Sequence, residues 1–462
     1  MKVLLLSPPF VPDYMRNARC DYVGISDTQW PPIWLAYCGA LLEERGHTVK
    51  LIDAPAEKLG HEEVLRESKR FSPDLTVTYS STKSEDNDVE FAVKLKEETE
   101  CKLVFAGPFV SLKPASPLEK STQVDYSVKG EFEYPVLEIA EGKEDGEIRN
   151  LVWRDAGRII QNEIRPLLDS EQLDELPFVT KFYHRHVDLR NYRPPSELYP
   201  LVDLFTGRGC CWGRCTYCLW VQSFIPGSTY NTRSVGNVID EFKYALENMK
   251  EVKEIFIQDD TLPAKRAAEL SKAITDEGLN MAWSCYVRGN LDYKTLSLMK
   301  KAGCRTLHVG YESASNEVLK NSMKGLTREQ MTSFTEDAKK AGLKIHGDFL
   351  IGLPGETKET VRETIDWAKE LDPDTAQFSR INIYQGTLLY EHLEKNNYIK
   401  DGEPDYPHLT NNELRELAKK GVREFYFSFR YAKRALKNPG EYFIPRLRTA
   451  KKTLPYMLWK RW

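Results

Sequence analysis

The segment Gly207 to Trp220 reads Gly-Arg-Gly-Cys-Cys-Trp-Gly-Arg-Cys-Thr-Tyr-Cys-Leu-Trp. The spacing of Cys211, Cys215 and Cys218, C-x3-C-x2-C, constrains the chain more than any other feature. Three thiolates on one short loop ligate three corners of a four-iron cluster and leave the last iron open to something other than protein. A structural zinc site closes with four protein ligands, and no further Cys or His follows at zinc-finger spacing. Cys210 stands one residue too far from Cys215 and is left out of the set. The flanking glycines let the loop wrap closely around a bulky group. The plain alternative is three incidental buried cysteines behaving as small hydrophobes. It sits poorly with three of nine cysteines inside eight residues.

Upstream, short apolar runs alternate with helical patterns. Strands are expected at Val3 to Leu6, Thr48 to Ile52, Leu75 to Tyr79, Leu103 to Ala106 and Asp125 to Val128, with helices between them. That alternation predicts a doubly wound, Rossmann-like parallel sheet over residues 1–145. Ligands of such sheets bind outside the carboxyl ends of the strands. Here those ends are Ser7-Pro8-Pro9, Ser80-Ser81-Thr82, Gly107-Pro108 and Gly130-Glu131. Residues 146–200 read as a turn-rich linker with a small hairpin around Ala156-Gly157. His184 and His186 in it reach one metal only if the stretch is a strand, and are otherwise loop polar groups.

Residues 201–400 alternate six strands with intervening helices. This predicts a partial (β/α)6 barrel with its active site at the carboxyl ends of the strands. Those ends carry the cysteine loop, Asp259 and Asp260, Arg288, Glu312 and Ser313, and the turn from Gly352 to Thr357. Residues 401–462 form a basic, aromatic, helical C-terminal region. From Lys419 onward it has thirteen Lys or Arg against two Glu. Such a mix suits an anionic membrane surface, packing on the barrel, or nucleic acid. A net charge of −4 over 462 residues argues against nucleic acid for the chain as a whole. The opening apolar run is too short for a signal peptide, and no apolar run is long enough to span a bilayer. Few, mostly scattered cysteines suit a reducing cytoplasm, so a cytoplasmic protein is expected, with peripheral contact to the membrane's inner face through the tail.

The cluster loop resembles that of the radical SAM superfamily, and the resemblance extends over most of the chain. It implies a [4Fe-4S] cluster on Cys211, Cys215 and Cys218 whose open iron chelates S-adenosylmethionine. It further implies reductive cleavage to a 5′-deoxyadenosyl radical that removes a hydrogen atom from an unactivated carbon. On that implication Asp259 or Asp260 accepts from the ammonium of S-adenosylmethionine. Arg288 pairs with its carboxylate, Glu312 meets the ribose hydroxyls or the ammonium, and Ser313 adds a polar contact. Gly352-Leu353-Pro354-Gly355-Glu356-Thr357 resembles the segment that backs the adenine. Tyr384 to Tyr390 resembles a Pro-Gly-Thr-x-Leu-Tyr element, with Gln385 where proline is usual. The first domain resembles the cobalamin-binding domain that precedes many radical SAM domains, although the Asp-x-His-x-x-Gly signature that ligates cobalt is missing. Cobalamin would then be held without a protein histidine, by backbone at Gly107 and Gly130 and by hydroxyls at Ser80, Ser81 and Thr82. The alternative is a degenerate domain that binds nothing. A dinucleotide fold is disfavoured because no G-x-G-x-x-G follows the first strand.

The loop Cys215 to Trp220 looks like that of the hopanoid cyclitol ether and calditol synthase group. With the basic tail, this leads to the expectation of an enzyme remodelling a membrane lipid or isoprenoid headgroup by ring contraction or carbon–carbon bond formation. The alternative is a cobalamin-dependent C-methyltransferase. A tRNA-modifying enzyme is disfavoured because the first domain lacks a second cysteine triad. A bare iron–sulfur electron carrier would need a fourth protein ligand. A reducing partner such as ferredoxin or flavodoxin is expected beside a small-molecule or lipid substrate.

Overall fold

The computed structural model describes residues 1–17, 21–23, 29–194 and 196–437. Among these, seven strands form the first sheet: β1 Lys2–Ser7, β2 Thr48–Asp53, β3 Leu75–Tyr79, β4 Lys102–Ala106, β5 Tyr126–Val128, β6 Leu151–Asp155 and β7 Arg158–Gln161. Their order is β2-β1-β3-β4-β5-β6-β7. The first five are parallel, as apolar runs separated by helices require. The chain order reverses between β1 and β3, so a ligand crevice is expected at their carboxyl ends. The hairpin expected inside the linker extends this sheet instead: β6 pairs antiparallel with β5, Ser127 opposite Val152, and β7 closes the edge.

The stretch after it is also more regular than its turn residues suggest. Asp169 caps a helix Ser170–Glu175, and a second helix runs Val179–His186. On a helix, residues two apart point in different directions. His184 accordingly meets Tyr244, and His186 meets Glu43 at 2.6 Å, so the two share no metal.

The second sheet holds β8 Leu201–Leu204, β11 Glu254–Ile257, β12 Ala282–Val287, β13 Cys304–Glu312, β14 Lys344–Ile351 and β15 Thr375–Arg380, in that spatial order and all parallel. Between β8 and β11 lies a separate antiparallel pair, β9 Gly207–Gly209 and β10 Tyr230–Thr232. Asp292, Thr327 and Thr357 each accept a backbone N–H at the start of a barrel helix, which satisfies donors a helix leaves open. The expected six-stranded partial barrel is therefore present.

One apolar cluster runs through both halves. Trp34, on the helix Ile33–Glu44, packs against Phe205, Trp220 and Phe224 of the barrel with ring centroids 4.8, 5.8 and 4.7 Å away. The C-terminal region begins with a helix Asn411–Tyr426 that covers the β15 edge, where the Tyr426 hydroxyl donates to the Ala376 carbonyl at 2.9 Å. Phe425 and Tyr431 are buried there, while Phe427 and Phe429 are exposed. The remaining tail aromatics, Tyr442, Phe443, Tyr456, Trp459 and Trp462, lie outside the described residues. No helix among the described residues is long and apolar enough to cross a membrane.

Candidate active site

The β9–β10 hairpin presents the cysteine loop at the mouth of the barrel. Two glycines make its folding possible. A Cβ at Gly209 would stand 2.1 Å from the Thr229 carbonyl oxygen, and one at Gly213 2.1 Å from that of Gly227. Both glycines have positive φ, +90° and +61°, which only glycine adopts without cost. Trp212 closes one side: its indole N–H donates to the Met323 carbonyl at 2.8 Å, and its ring occupies the space where Gly325 has no side chain.

Gln222 closes the other side. Its amide donates to the carbonyls of Cys215, Thr216 and Cys218 at 2.9, 2.8 and 3.3 Å, while its oxygen accepts from Leu388 N–H at 2.7 Å. Leu389 N–H adds a bond to the Thr216 carbonyl. The Tyr384 to Tyr390 element thus buttresses the cluster loop, through a glutamine that no sequence pattern singled out.

Cys211 is exposed, and Cys215 and Cys218 are half-buried. Among the described residues no three ligand-type side chains close on one point as they would around a single ion. Thiols spread along a loop suit the separate corners of a cluster. Burial lifts the Cys211 and Cys215 thiols above the ordinary range, against the pull of Arg288 on both and of Lys324 on Cys215. These two cations face the sulfurs and offset the negative charge that bound thiolates bring.

The acidic residues expected at the strand ends divide into two kinds. Asp259 is fully buried, and its carboxylate is spent on Thr206 N–H, Gly207 N–H, the Thr206 hydroxyl and the Tyr230 hydroxyl. It fixes the root of the hairpin and does not open to the barrel mouth. Asp260 is half-buried beside it.

Glu312 follows a register shift between β13 and β14 and has φ +64°. A bulge of this kind re-aims a side chain beside an active site. Lys324 pairs with it at 2.9 Å, and the half-buried Tyr217, whose hydroxyl is pushed up by burial and by Glu312, lies close by. Arg288 stacks on Trp212 at 4.4 Å and donates to the Lys324 carbonyl. Glu312, Lys324, Arg288, Tyr217 and the cysteine loop therefore form one constellation. Lys324 was missed because nothing local marks it.

Ser313 turns inward, meets Thr364 and accepts from Ser315 N–H, so its expected contact at the mouth is absent. Gly352 N–H donates to Glu356, and the Gly352 carbonyl accepts from the Tyr406 hydroxyl at 2.6 Å. Its φ of +108° and its closeness to Ile381 and Leu414 leave no room for a Cβ. Burial pushes Glu356 up to about 8, against the two backbone N–H groups that bond it.

At the crevice between β1 and β3, Ser80 and Ser81 are buried and Thr82 is exposed. The Ser80 hydroxyl donates to Asp88 at 2.9 Å, and Ser81 bonds Tyr14 at 2.7 Å and Ser84 at 2.9 Å. A fully buried Arg16–Asp88 ion pair organises this network. The two serine hydroxyls are thus spent inside the protein, because a buried charge pair consumes the donors around it. The rim is left to Thr82 and to the backbone turns at Gly107 and Gly130. Gly107, at φ +120°, lies too close to the Ser80 carbonyl for a Cβ, and Gly130 N–H donates to Ser111.

Between the crevice and the cluster loop runs a buried triad. Arg208, three residues before Cys211, donates to Glu131 at 2.8 Å and Glu133 at 2.7 Å, with its guanidinium 4.6 Å from the Trp34 ring.

A family model described as the radical SAM superfamily matches residues 205–368, and one described as a B12 binding domain matches residues 20–140. An uncharacterized methyltransferase of Pyrococcus horikoshii is 32% identical over 445 residues, 92% of each chain. The chain belongs to the radical SAM superfamily, in the group that carries a B12-binding domain. The cytidylyl-2-hydroxyethylphosphonate methyltransferase of Streptomyces wedmorensis is 26% identical, over 92% of this chain and 90% of its own. In fold, this radical SAM protein is similar to the methyltransferase TsrM from Kitasatospora setae, with a TM-score of 0.68 at 20% identity, covering 86% of this chain and 79% of that one. Its cofactors are a [4Fe-4S] cluster, S-adenosylmethionine and cobalamin. The glycine-shaped cysteine loop with cations against it fits the cluster, and the crevice at the β1/β3 reversal fits a ligand of the first sheet.

Proposed function

We propose that this radical SAM protein is a cobalamin-dependent methyltransferase that methylates a carbon of a small molecule, with an external electron donor of the ferredoxin or flavodoxin class. The observation that carries this reading is the end-to-end match, nine tenths of both chains, to a relative named as a methyltransferase. The Streptomyces relative, matched over a similar span, also carries that name. Methyl transfer therefore takes the place of lipid-headgroup remodelling. The latter drew on the loop resemblance and the tail, and in that tail Phe425 packs on Phe378 of the barrel, Tyr426 donates to the Ala376 carbonyl, and Tyr431 packs against both tail rings.

When bound, the cluster and S-adenosylmethionine supply a radical that opens a C–H bond, and cobalamin supplies the methyl group. The chain's own residues bind and orient. Cys211, Cys215 and Cys218 hold three irons. Asp260 and Glu312 would meet the ammonium and ribose of S-adenosylmethionine, and Arg288 its carboxylate, which a planar guanidinium suits. Lys324, paired with Glu312 at 2.9 Å, holds that carboxylate in place. The backbone at Gly107 and Gly130, with Thr82, borders cobalamin.

Anaerobic reconstitution with iron and sulfide, followed by incubation with S-adenosylmethionine, methylcobalamin, a reductant and a small-molecule cell extract as the source of the methyl acceptor, tests the reading. S-adenosylhomocysteine and 5′-deoxyadenosine should both form. 5′-Deoxyadenosine alone, with the methyl group of methylcobalamin retained, would remove methyl transfer and return ring rearrangement to first place.

A further inference from the structure

Alternate residues of β14 face in opposite directions. Ile345, Gly347, Phe349 and Ile351 are buried, and Phe349 stacks on Tyr311 and Phe378 under the helix layer. His346, Asp348 and Leu350 are only half-buried and face the barrel lumen. The strand register arranges that lumen in rungs. Tyr286, His308, His346 and Thr375 stand level on β12, β13, β14 and β15. One rung higher, Gly310, Asp348 and Gln377 stand level. Past the register shift in β13, Glu312 stands level with Phe349, one residue beyond Asp348 and about 3.4 Å higher at the rise of a strand. Asp348 thus lies on the lumen side, one residue below Glu312 of the constellation around the cluster loop.

The charges on the floor below are compensated. His308 meets Glu197 at 2.5 Å, and Arg305 bridges Glu197 and Glu254 at 2.9 and 3.0 Å. Asp348 differs. Its ion-pair contact is His346 Nε2 at 3.4 Å, a third of its side-chain surface stays open (33%), and no Lys or Arg of the described residues lies within ion-pair distance. His346 is itself oriented, because its Nδ1 meets the Thr375 hydroxyl at 2.6 Å, which turns Nε2 toward the carboxylate. Gly310, level with Asp348 on the neighbouring strand, carries no side chain of its own, and the Glu312–Lys324 pair reaches back into the space its Cβ would take.

We infer that Asp348, held by His346, is the substrate-anchoring carboxylate of the lumen and selects a small molecule bearing a protonated nitrogen. A carboxylate with lone pairs facing a half-enclosed space and an imidazole on one side recognises a cationic head group. It repels an anionic one, and a neutral alcohol gains less from it. This substrate class rests on the methyltransferase reading, but its recognition is separable from the chemistry.

Three probes with a common ring, phenethylamine, 2-phenylethanol and 3-phenylpropionate, would be titrated at up to millimolar concentration into the enzyme loaded with cluster and cobalamin, with binding read by ligand-observed NMR. The amine should bind at least tenfold more tightly than the alcohol, and the acid least. Asp348→Asn should erase that preference while iron and corrinoid contents stay at wild-type levels, and His346→Gln should weaken it severalfold. A failure of all three to bind, equal binding of amine and alcohol, or an amine preference that survives Asp348→Asn would overturn the inference. S-adenosylhomocysteine formation by the wild-type enzyme, measured separately, reports on methyl transfer itself. That reading can therefore fail while the head-group preference stands, and the reverse.

Discussion

Glu312 and Glu356 show two fates of a carboxylate at a strand end. Glu312 is nearly buried and faces a lysine, so it has a charge partner in a site where charge has a use. Glu356 is fully enclosed, has no cation, and satisfies the N–H groups of Gly352 and Leu353 with one oxygen while the other has no partner. Burial raises it from the ordinary 4.5 to about 8. A folded value above the unfolded one means that the native state binds the proton more tightly. Its contribution to stability is therefore full below about 4.5 and is lost as pH rises toward about 8. Glu356→Gln removes that loss. The thermal midpoint of the variant should gain on wild type between pH 5 and pH 8, with a ceiling of ~1.4 kcal/mol per pH unit. A gain that shrinks with rising pH would contradict the assignment. At the same scale, Cys215→Ala should abolish both cluster iron and cleavage of S-adenosylmethionine, read by iron content and by 5′-deoxyadenosine. Survival of cleavage would remove Cys215 from the ligand set.

Among the elements, the β9–β10 hairpin carries the site, and its shape depends on positions that lack side chains. Gly213 and Gly227 approach each other so closely that either a Cβ or a left-handed φ would be paid for at Gly213. At Gly227 the φ of +92° alone matters, since no atom stands within 4 Å of its missing Cβ. Gly213→Ala should therefore displace the loop and lower cluster occupancy severalfold, whereas Gly227→Ala should cost only backbone strain, about 1–2 kcal/mol. Iron content and thermal unfolding of the two variants separate the cases, and equal iron loss in both would show that the contact is unimportant. The π-turn segment Trp220–Phe224 follows the cysteines and turns Gln222 back onto their carbonyls. Such turns recur at functional sites because they redirect one side chain without ending the helix.

At the scale of the molecule, the crevice of the first sheet and the cluster loop are tied by Arg208 between Glu131 and Glu133. Burial raises Glu131 above its ordinary range, and Arg208 draws it back. Removing one member of such a group leaves uncompensated buried charge, at a cost of about 3–5 kcal/mol. Arg208→Met should therefore lower the stability of the whole chain by that order in denaturant unfolding. Adding Glu131→Gln and Glu133→Gln should recover part of it, because the repulsion between the two carboxylates goes with their charge. If the triple variant were as unstable as Arg208→Met, packing over Trp34 and not charge would be the source.

The cysteine spacing, the alternation of strand and helix, the six barrel strands and the Gly352 to Thr357 turn were all legible in the order of residues. Each is a local pattern: a chelating loop, an apolar period or a glycine turn needs only neighbours in sequence. The same local reading placed Asp259 and Ser313 at the barrel mouth, since a strand end says where a residue lies but not which way its side chain turns. Ser80 and Ser81 were assigned to a ligand because a buried arginine more than sixty positions away in the chain cannot be seen from them. Gln222, Lys324, Arg208 and Asp348 left no mark in the sequence, because each acquires its role from partners brought close only by folding. The kind of chemistry was thus written in one loop. The surroundings of that loop were decided by long-range packing, which sets which charges meet, which are left open, and which hydroxyls are already taken.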